Sequence, residues 1–208
     1  MARCGDHDGC CDGESHTKNI DLGFKYSLYM RIDKENVECL NESVEGAGKK
    51  IFKAWEERKD NSKYVESDVD EELLFNIPFT GNVKLKGFIV RGGMENTHPS
   101  IVRLFKDKPN MTFDDTSAKA DQEIELVQDN EGTVEYPTKV VHFSSIHHLS
   151  LHFPKNFGAS KSVIYYIGLS GEWTPAHRHG VTICTYEAVP SISDHKTSTL
   201  DSVSREIQ

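Results

Sequence analysis

The segment SSIHHLSLHF (residues 144–153) carries three histidines within six positions, a density that could serve a metal site or acid–base chemistry. Apolar and polar residues alternate along it, which is typical of a half-buried strand and places His148 and His152 on one polar face. In a strand these two side chains are about 13 Å apart, whereas imidazole nitrogens bind zinc at about 2.0–2.1 Å. They therefore cannot hold one ion, and the segment is predicted to be a strand whose outward face carries histidines.

A second pair of histidines has a better spacing for a metal. His177 and His179 are two positions apart and could converge with His148 across strands, but no nearby carboxylate completes a facial triad. The segment CGDHDGCC (residues 4–11) could trap zinc or copper, although its glycines argue against the ordered geometry of a structural site. We therefore predict no metal site and no cofactor.

The densest acidic run is ESDVDEELL (residues 66–74). Its alternating carboxylates, at Asp68, Asp70 and Glu72, could coordinate calcium, which prefers several oxygen ligands from a shaped loop. A solvated loop before a strand is the alternative interpretation, and so is a charged rim for a basic partner.

Trp173 lies between two apolar runs, where it either fills the edge of the core or anchors an interface, since tryptophan is enriched among binding hot spots. The candidate partner-binding residues are Asp68, Asp70, Glu71, Glu72 and Trp173.

Catalytic signatures are missing from the sequence. GLSGE (residues 168–172) lacks the last glycine of a nucleophile elbow, and no helix pattern follows it. No phosphate-binding loop, dinucleotide fingerprint or zinc-protease motif occurs, and no Cys-x-x-Cys pair is present for thioredoxin-type redox chemistry. We therefore predict that the protein is not an enzyme.

The elements that must position these residues are mostly strand-like. Turn residues at 78–82 are predicted to separate two runs, and a slip in alternation at Gly87 predicts a bulge. One short helix is predicted within residues 48–60. About eight strands with long loops indicate an all-β sandwich or jelly roll. The predicted strands cover residues 24–33, 73–77, 83–90, 101–106, 123–128, 147–153, 163–171 and 181–188.

The composition limits the class of partner. The chain has 208 residues and a net charge of −9, which disfavours nucleic acid or an anionic membrane as the main partner. No apolar run approaches the roughly 20 residues that span a bilayer, and no secretory signal is recognisable, so we expect a cytoplasmic and nuclear protein. Polar, aperiodic sequence predicts a disordered Cys/His/Gly-rich head at residues 1–20 and a disordered Ser/Thr-rich tail at residues 190–208.

Several motifs together resemble the PITH domain, a proteasome-interacting domain found at the C-terminus of a thioredoxin-like protein. The resemblance covers residues 21–189, and its long acidic-to-apolar motif is the most specific part. The motifs are CLNES (39–43), FKAWEER (52–58), DVDEELLFNIPFTGNVKLKGFIV (68–90), KNFG (155–158), YYIGLSGEWT (165–174) and VTICTYEA (181–188).

The resemblance implies a jelly-roll β-sandwich similar to galactose-binding domains, and a non-catalytic cytoplasmic and nuclear protein that docks on the 26S proteasome. It does not imply sugar binding, because a shared fold is weak evidence for a shared ligand. A small-ligand or calcium-dependent binding module of the same fold is the alternative. The resemblance assigns no contact residues and no oligomeric state.

Overall fold

Residue 23 and residues 25–175 are described in the computed structural model, and eight strands form the fold within them. The strands are β1 (Glu38–Leu40), β2 (Val65–Glu66), β3 (Leu73–Gly92), β4 (Pro99–Lys106), β5 (Gln122–Glu125), β6 (Glu135–Pro137), β7 (Ile146–Asn156) and β8 (Val163–Pro175). The predicted strand at residues 181–188 and the predicted disordered ends, residues 1–20 and 190–208, lie outside the described residues.

Strand β3, 20 residues long, has different neighbours along its two halves within one antiparallel sheet of eight strands. Its first half, up to Pro78, pairs with β1 and β7, and β4 and β5 continue that sheet beyond β7. Its second half, from Gly81, pairs with β8 and β6, and β2 lies beyond β8. A long strand that changes neighbours midway in this way joins the two layers of a sandwich.

The core lies between the two layers. Inward-facing side chains from both halves of β3, from β4 and β7, and from β8 form one buried hydrophobic cluster. At its centre Phe75 contacts Phe52 and Phe153 edge-to-face, with ring centroids 6.2 and 5.9 Å apart, an arrangement that aromatic pairs prefer. The predicted all-β, jelly-roll type of sandwich is confirmed.

Two details of β3 test the sequence pattern. The predicted turn at residues 78–82 is wrong, because the chain stays extended there and only shifts its register between Pro78 and Val83. The bulge predicted at Gly87 is confirmed by a register shift between Leu85 and Gly87. A proline at a shift can remain in a strand because its missing N–H costs no ladder hydrogen bond there.

The predicted strand at residues 24–33 is also wrong. Residues Ser27–Arg31 form a 3-10 helix that buries Leu28. The predicted helix within residues 48–60 is present as two short pieces, α1 (Ala47–Lys50) and a 3-10 helix (Trp55–Lys59). None of the helices in the described residues is long and apolar enough to cross a membrane.

Candidate functional site

The surface beside α1 contains a cleft of about 390 Å³ whose charged lining is almost entirely lysine. It lies between the 3-10 helix Ser27–Arg31, the end of α1 and the chain from Phe52 to Lys63. We call it the lysine cleft. Its lining residues are Tyr29, Lys34, Lys49, Lys50, Phe52, Lys53, Ala54, Glu57 and Lys63.

Burial of Phe52 and Lys53 fixes the floor of the lysine cleft, since both side chains are almost fully buried. The Lys53 ammonium donates hydrogen bonds to the backbone carbonyls of Asp60, at 2.7 Å, and Lys63, at 3.4 Å. Burial lowers the pKa of Lys53, and the nearby Asp60 carboxylate partly opposes this. Lys53 thus ties the wall formed by residues 60–63 to the floor.

The other lysines of the cleft have little acidic compensation. Lys49 donates to the backbone carbonyl of Glu35 at 2.6 Å, and the Lys34 ammonium lies 5.1 Å from the centre of the Tyr29 ring. Lys63 has a carboxylate partner, Glu57, at 3.5 Å. Such exposed pairs contribute little, about 0–1 kcal/mol, so most of the positive charge remains available to a ligand.

A smaller hollow of about 190 Å³ adjoins the lysine cleft and shares Lys50 and Lys63 with it. Its lining is mixed, since apolar side chains lie beside Ser43, Ser62 and Glu66. Val44 and Tyr64 line this hollow, with 62% and 46% of their surfaces exposed. Tyr64 is steadied by the ring of Tyr165, 5.8 Å away. Exposed apolar side chains beside cationic ones are typical of a protein-binding surface.

The outer wall of the lysine cleft is attached to the sandwich by the buried guanidinium of Arg91. Its nitrogens donate to the carbonyl of Asn130, to the carbonyl of Arg58 and to the side chain of Asn61, at 2.7 to 2.8 Å. Asn130 in turn lies in a loop held by Asp129, whose carboxylate accepts four backbone N–H groups. Two charged side chains of the sandwich therefore set the position of the wall.

Replacing Lys53 by methionine is expected to reduce the free energy of unfolding by about 1–2 kcal/mol, because the partly buried hydrogen bonds to the carbonyls of Asp60 and Lys63 are lost. Methionine keeps the apolar stem, so packing changes little. Urea denaturation measures the effect, and Lys119→Met, at an exposed position, is the matched control. Equal stability of Lys53→Met and the unmodified chain would contradict the role given to Lys53.

The acidic run at residues 66–74 extends from the end of β2 through the connecting loop into the start of β3, and Asn41 organises the loop. The Asn41 amide donates to the Asp70 carboxylate and to the carbonyl of Glu72, and its oxygen accepts the N–H of Val69. No three acidic, histidine or cysteine side chains of the described residues are arranged to hold a metal ion. Asp68 is exposed and Glu71 half-buried, so this loop presents carboxylates without a calcium geometry.

The prediction that β7 has an outward polar face is wrong. His152 is only 1% exposed, Ser150 is fully buried, and Phe113 from the β4–β5 connection lies against the His152 ring. His152 Nε2 lies 2.6 Å from a Glu72 oxygen, and burial lowers the pKa of this histidine although Glu72 opposes the shift. His152 is therefore a structural partner of the acidic loop.

The other candidate residues from the sequence analysis are a tryptophan and two histidines. Trp173 is half-buried in β8, where the Arg31 guanidinium lies 4.1 Å from the centre of its ring and its indole packs on Gly81. His177 and His179 lie outside the described residues. Among the described residues, neither Trp173 nor any residue of the acidic run lines the lysine cleft.

Residues 18–190 match the family model of the PITH domain. The chain belongs to the PITH domain family. It is 57% identical to a PITH domain-containing protein of Drosophila melanogaster over 98% of this chain and 97% of that one. It is 55% identical to PITH domain-containing protein 1 of Homo sapiens over 90% of each chain, and 39% identical to that of Dictyostelium discoideum over 95% and 98%.

Solved structures similar to this PITH domain include a chitobiase domain and a fucose binding module, both of low sequence identity. The C-terminal domain of a chitobiase from Bacteroides fragilis aligns with a TM-score of 0.46 and 14% identity, over 69% of this chain and 99% of that domain. A fucose binding module from Streptococcus pneumoniae aligns with a TM-score of 0.46 and 8% identity, over 65% and 90%. At this similarity the neighbours say nothing about the ligand of the PITH domain.

Proposed function

We propose that this PITH domain is a non-catalytic protein-binding module that docks on the 26S proteasome in the cytoplasm and nucleus. The observation that carries the proposal is the match of residues 18–190 to the PITH domain, and the resemblance to that domain implies docking on the proteasome. The lysine cleft and the adjoining hollow support the proposal of a protein partner, because cationic groups beside exposed Val44 and Tyr64 suit a polypeptide surface.

The contacts of the acidic run disfavour a calcium-dependent module. Asp70 is engaged by Asn41, and Glu72 lies in hydrogen-bond contact with His152. Calcium takes six to eight oxygen ligands, and those two carboxylates already have protein partners. A small-ligand module is the competing function, and failure of both chains in the experiment below would favour it.

The test is retention of purified 26S proteasome on beads that carry the full chain, with a chain limited to residues 21–189 beside it and bare beads as the control. We expect both chains to retain the particle, because the docking surface belongs to the sandwich. Retention by the full chain alone would move the function into the terminal segments. Failure of both chains would overturn the proposal.

A further inference from the structure

We propose that the lysine cleft binds a short acidic segment of a partner protein, with its carboxylates at the lysines and an apolar side chain in the adjoining hollow. This inference rests on the proposed function only in that the occupant belongs to a protein. It holds whether or not that protein is part of the proteasome.

The lysine cleft reverses the charge of the chain locally. The chain has 33 acidic and 24 basic residues, yet among the described residues five lysines and a single glutamate are the charged residues that line the cleft. Lys34 and Lys50 are exposed and have no carboxylate within salt-bridge distance among the described residues. A cationic cleft on an anionic protein concentrates and orients an anionic ligand.

An acidic cleft beside the lysine cleft limits the length of the anion that can bind. A neighbouring cleft of about 610 Å³ shares Lys49 and carries the carboxylates of Glu38, Glu42 and Glu45. These carboxylates border the lysine cleft and would repel an anion that extends past it. A long polyanion such as nucleic acid is therefore disfavoured, and a short acidic segment fits.

The cationic groups of the cleft are spaced apart. Among the described residues its lining contains no arginine, so no planar, bidentate fork fixes a single anionic group there. Lysines act as separate point charges that suit several carboxylates spaced along a peptide. The hollow lined by Val44 and Tyr64 offers a contact for an apolar side chain of the same peptide.

The experiment measures the anisotropy of a fluorescein-labelled peptide of eight glutamates with one central leucine, titrated with the full chain at physiological salt. The expected result is saturable binding that Lys50→Glu with Lys63→Glu weakens at least about tenfold, because two attractive charges become repulsive. The matched control, Lys119→Glu with Lys139→Glu, changes the net charge equally at exposed positions outside the cleft. At a Debye length of about 8 Å the control should leave the affinity almost unchanged.

A second probe, a single-stranded oligonucleotide of equal charge, distinguishes the kinds of anion. Weaker binding of the oligonucleotide than of the peptide supports the proposal, whereas equal or tighter binding overturns it. No binding of the acidic peptide, or equal weakening by both double variants, also overturns it. Because the peptide is measured without the proteasome, failure here is distinct from failure of the bead experiment.

Discussion

Lysine in place of Arg91 lowers the free energy of unfolding by about 3 kcal/mol, since it removes at least two of three hydrogen bonds made by a buried charged group. Arg91 is 6% exposed. Three different nitrogens of its guanidinium donate to Asn130, Arg58 and Asn61. A lysine ammonium keeps the positive charge, but as a compact group it cannot span three acceptors that were arranged for a planar fork.

The Arg91 change should also weaken binding of the acidic peptide, although Arg91 does not line the lysine cleft. Two of its three acceptors, Arg58 and Asn61, belong to the chain that forms the cleft wall, so their release lets Lys63 move away from Lys50. Urea denaturation and peptide anisotropy on the same preparation measure the two effects.

Arg103→Lys is the control for the Arg91 change, because Arg103 makes a single exposed ion pair with Glu123. We expect it to cost less than about 1 kcal/mol and to leave peptide binding unchanged. If Arg91→Lys and Arg103→Lys were equally stable, the Arg91 network would not hold the wall.

Much of the sandwich could be predicted because a strand buried on one face alternates with period two. The inner residues of β7, Leu149, Leu151 and Phe153, are fully buried as the pattern indicates. The same alternation says nothing about what covers the opposite face. Ser150 and His152 are buried there by the β4–β5 connection, a contact between distant parts of the chain.

The lysine cleft could not be predicted for a related reason. Its charged residues come from separate segments, since Lys34 precedes β1, three lysines lie between residues 49 and 53, and Lys63 precedes β2. In the sequence the middle group reads as part of a short helix, and the net charge of −9 argues against any basic surface. Only the fold brings these residues to one opening.

Asparagine in place of Asp129 is expected to reduce the free energy of unfolding by about 3–5 kcal/mol, because all four backbone donors lose a charged acceptor and two of them meet an amide N–H₂ group instead. The carboxylate oxygens accept the N–H groups of Glu131 and Gly132, at 3.0 and 2.8 Å, and of Thr133 and Val134, at 2.6 Å. Asp129 is 5% exposed, so water cannot easily replace those bonds.

The pH dependence of this variant follows from the same geometry. Burial raises the pKa of the Asp129 carboxyl, but the four backbone donors outweigh it and the pKa lies below its usual range. A depressed pKa means that the stabilisation is fully present above the unfolded value, about 3.9, and is lost as the pH falls through the folded value. The difference between the unmodified chain and Asp129→Asn should therefore be constant near neutral pH and shrink below about pH 4.

Asp115→Asn is the control for this variant, since Asp115 is an exposed carboxylate that accepts hydrogen bonds only from Thr112. Its effect should be much smaller than that of Asp129→Asn. Because Asn130 links the Asp129 loop to Arg91, the double variant Arg91→Lys with Asp129→Asn should be less destabilised than the sum of the two singles, by about 1 kcal/mol. Strict additivity would mean that the loop and the cleft wall are independent, and that only Arg91 positions the lysine cleft.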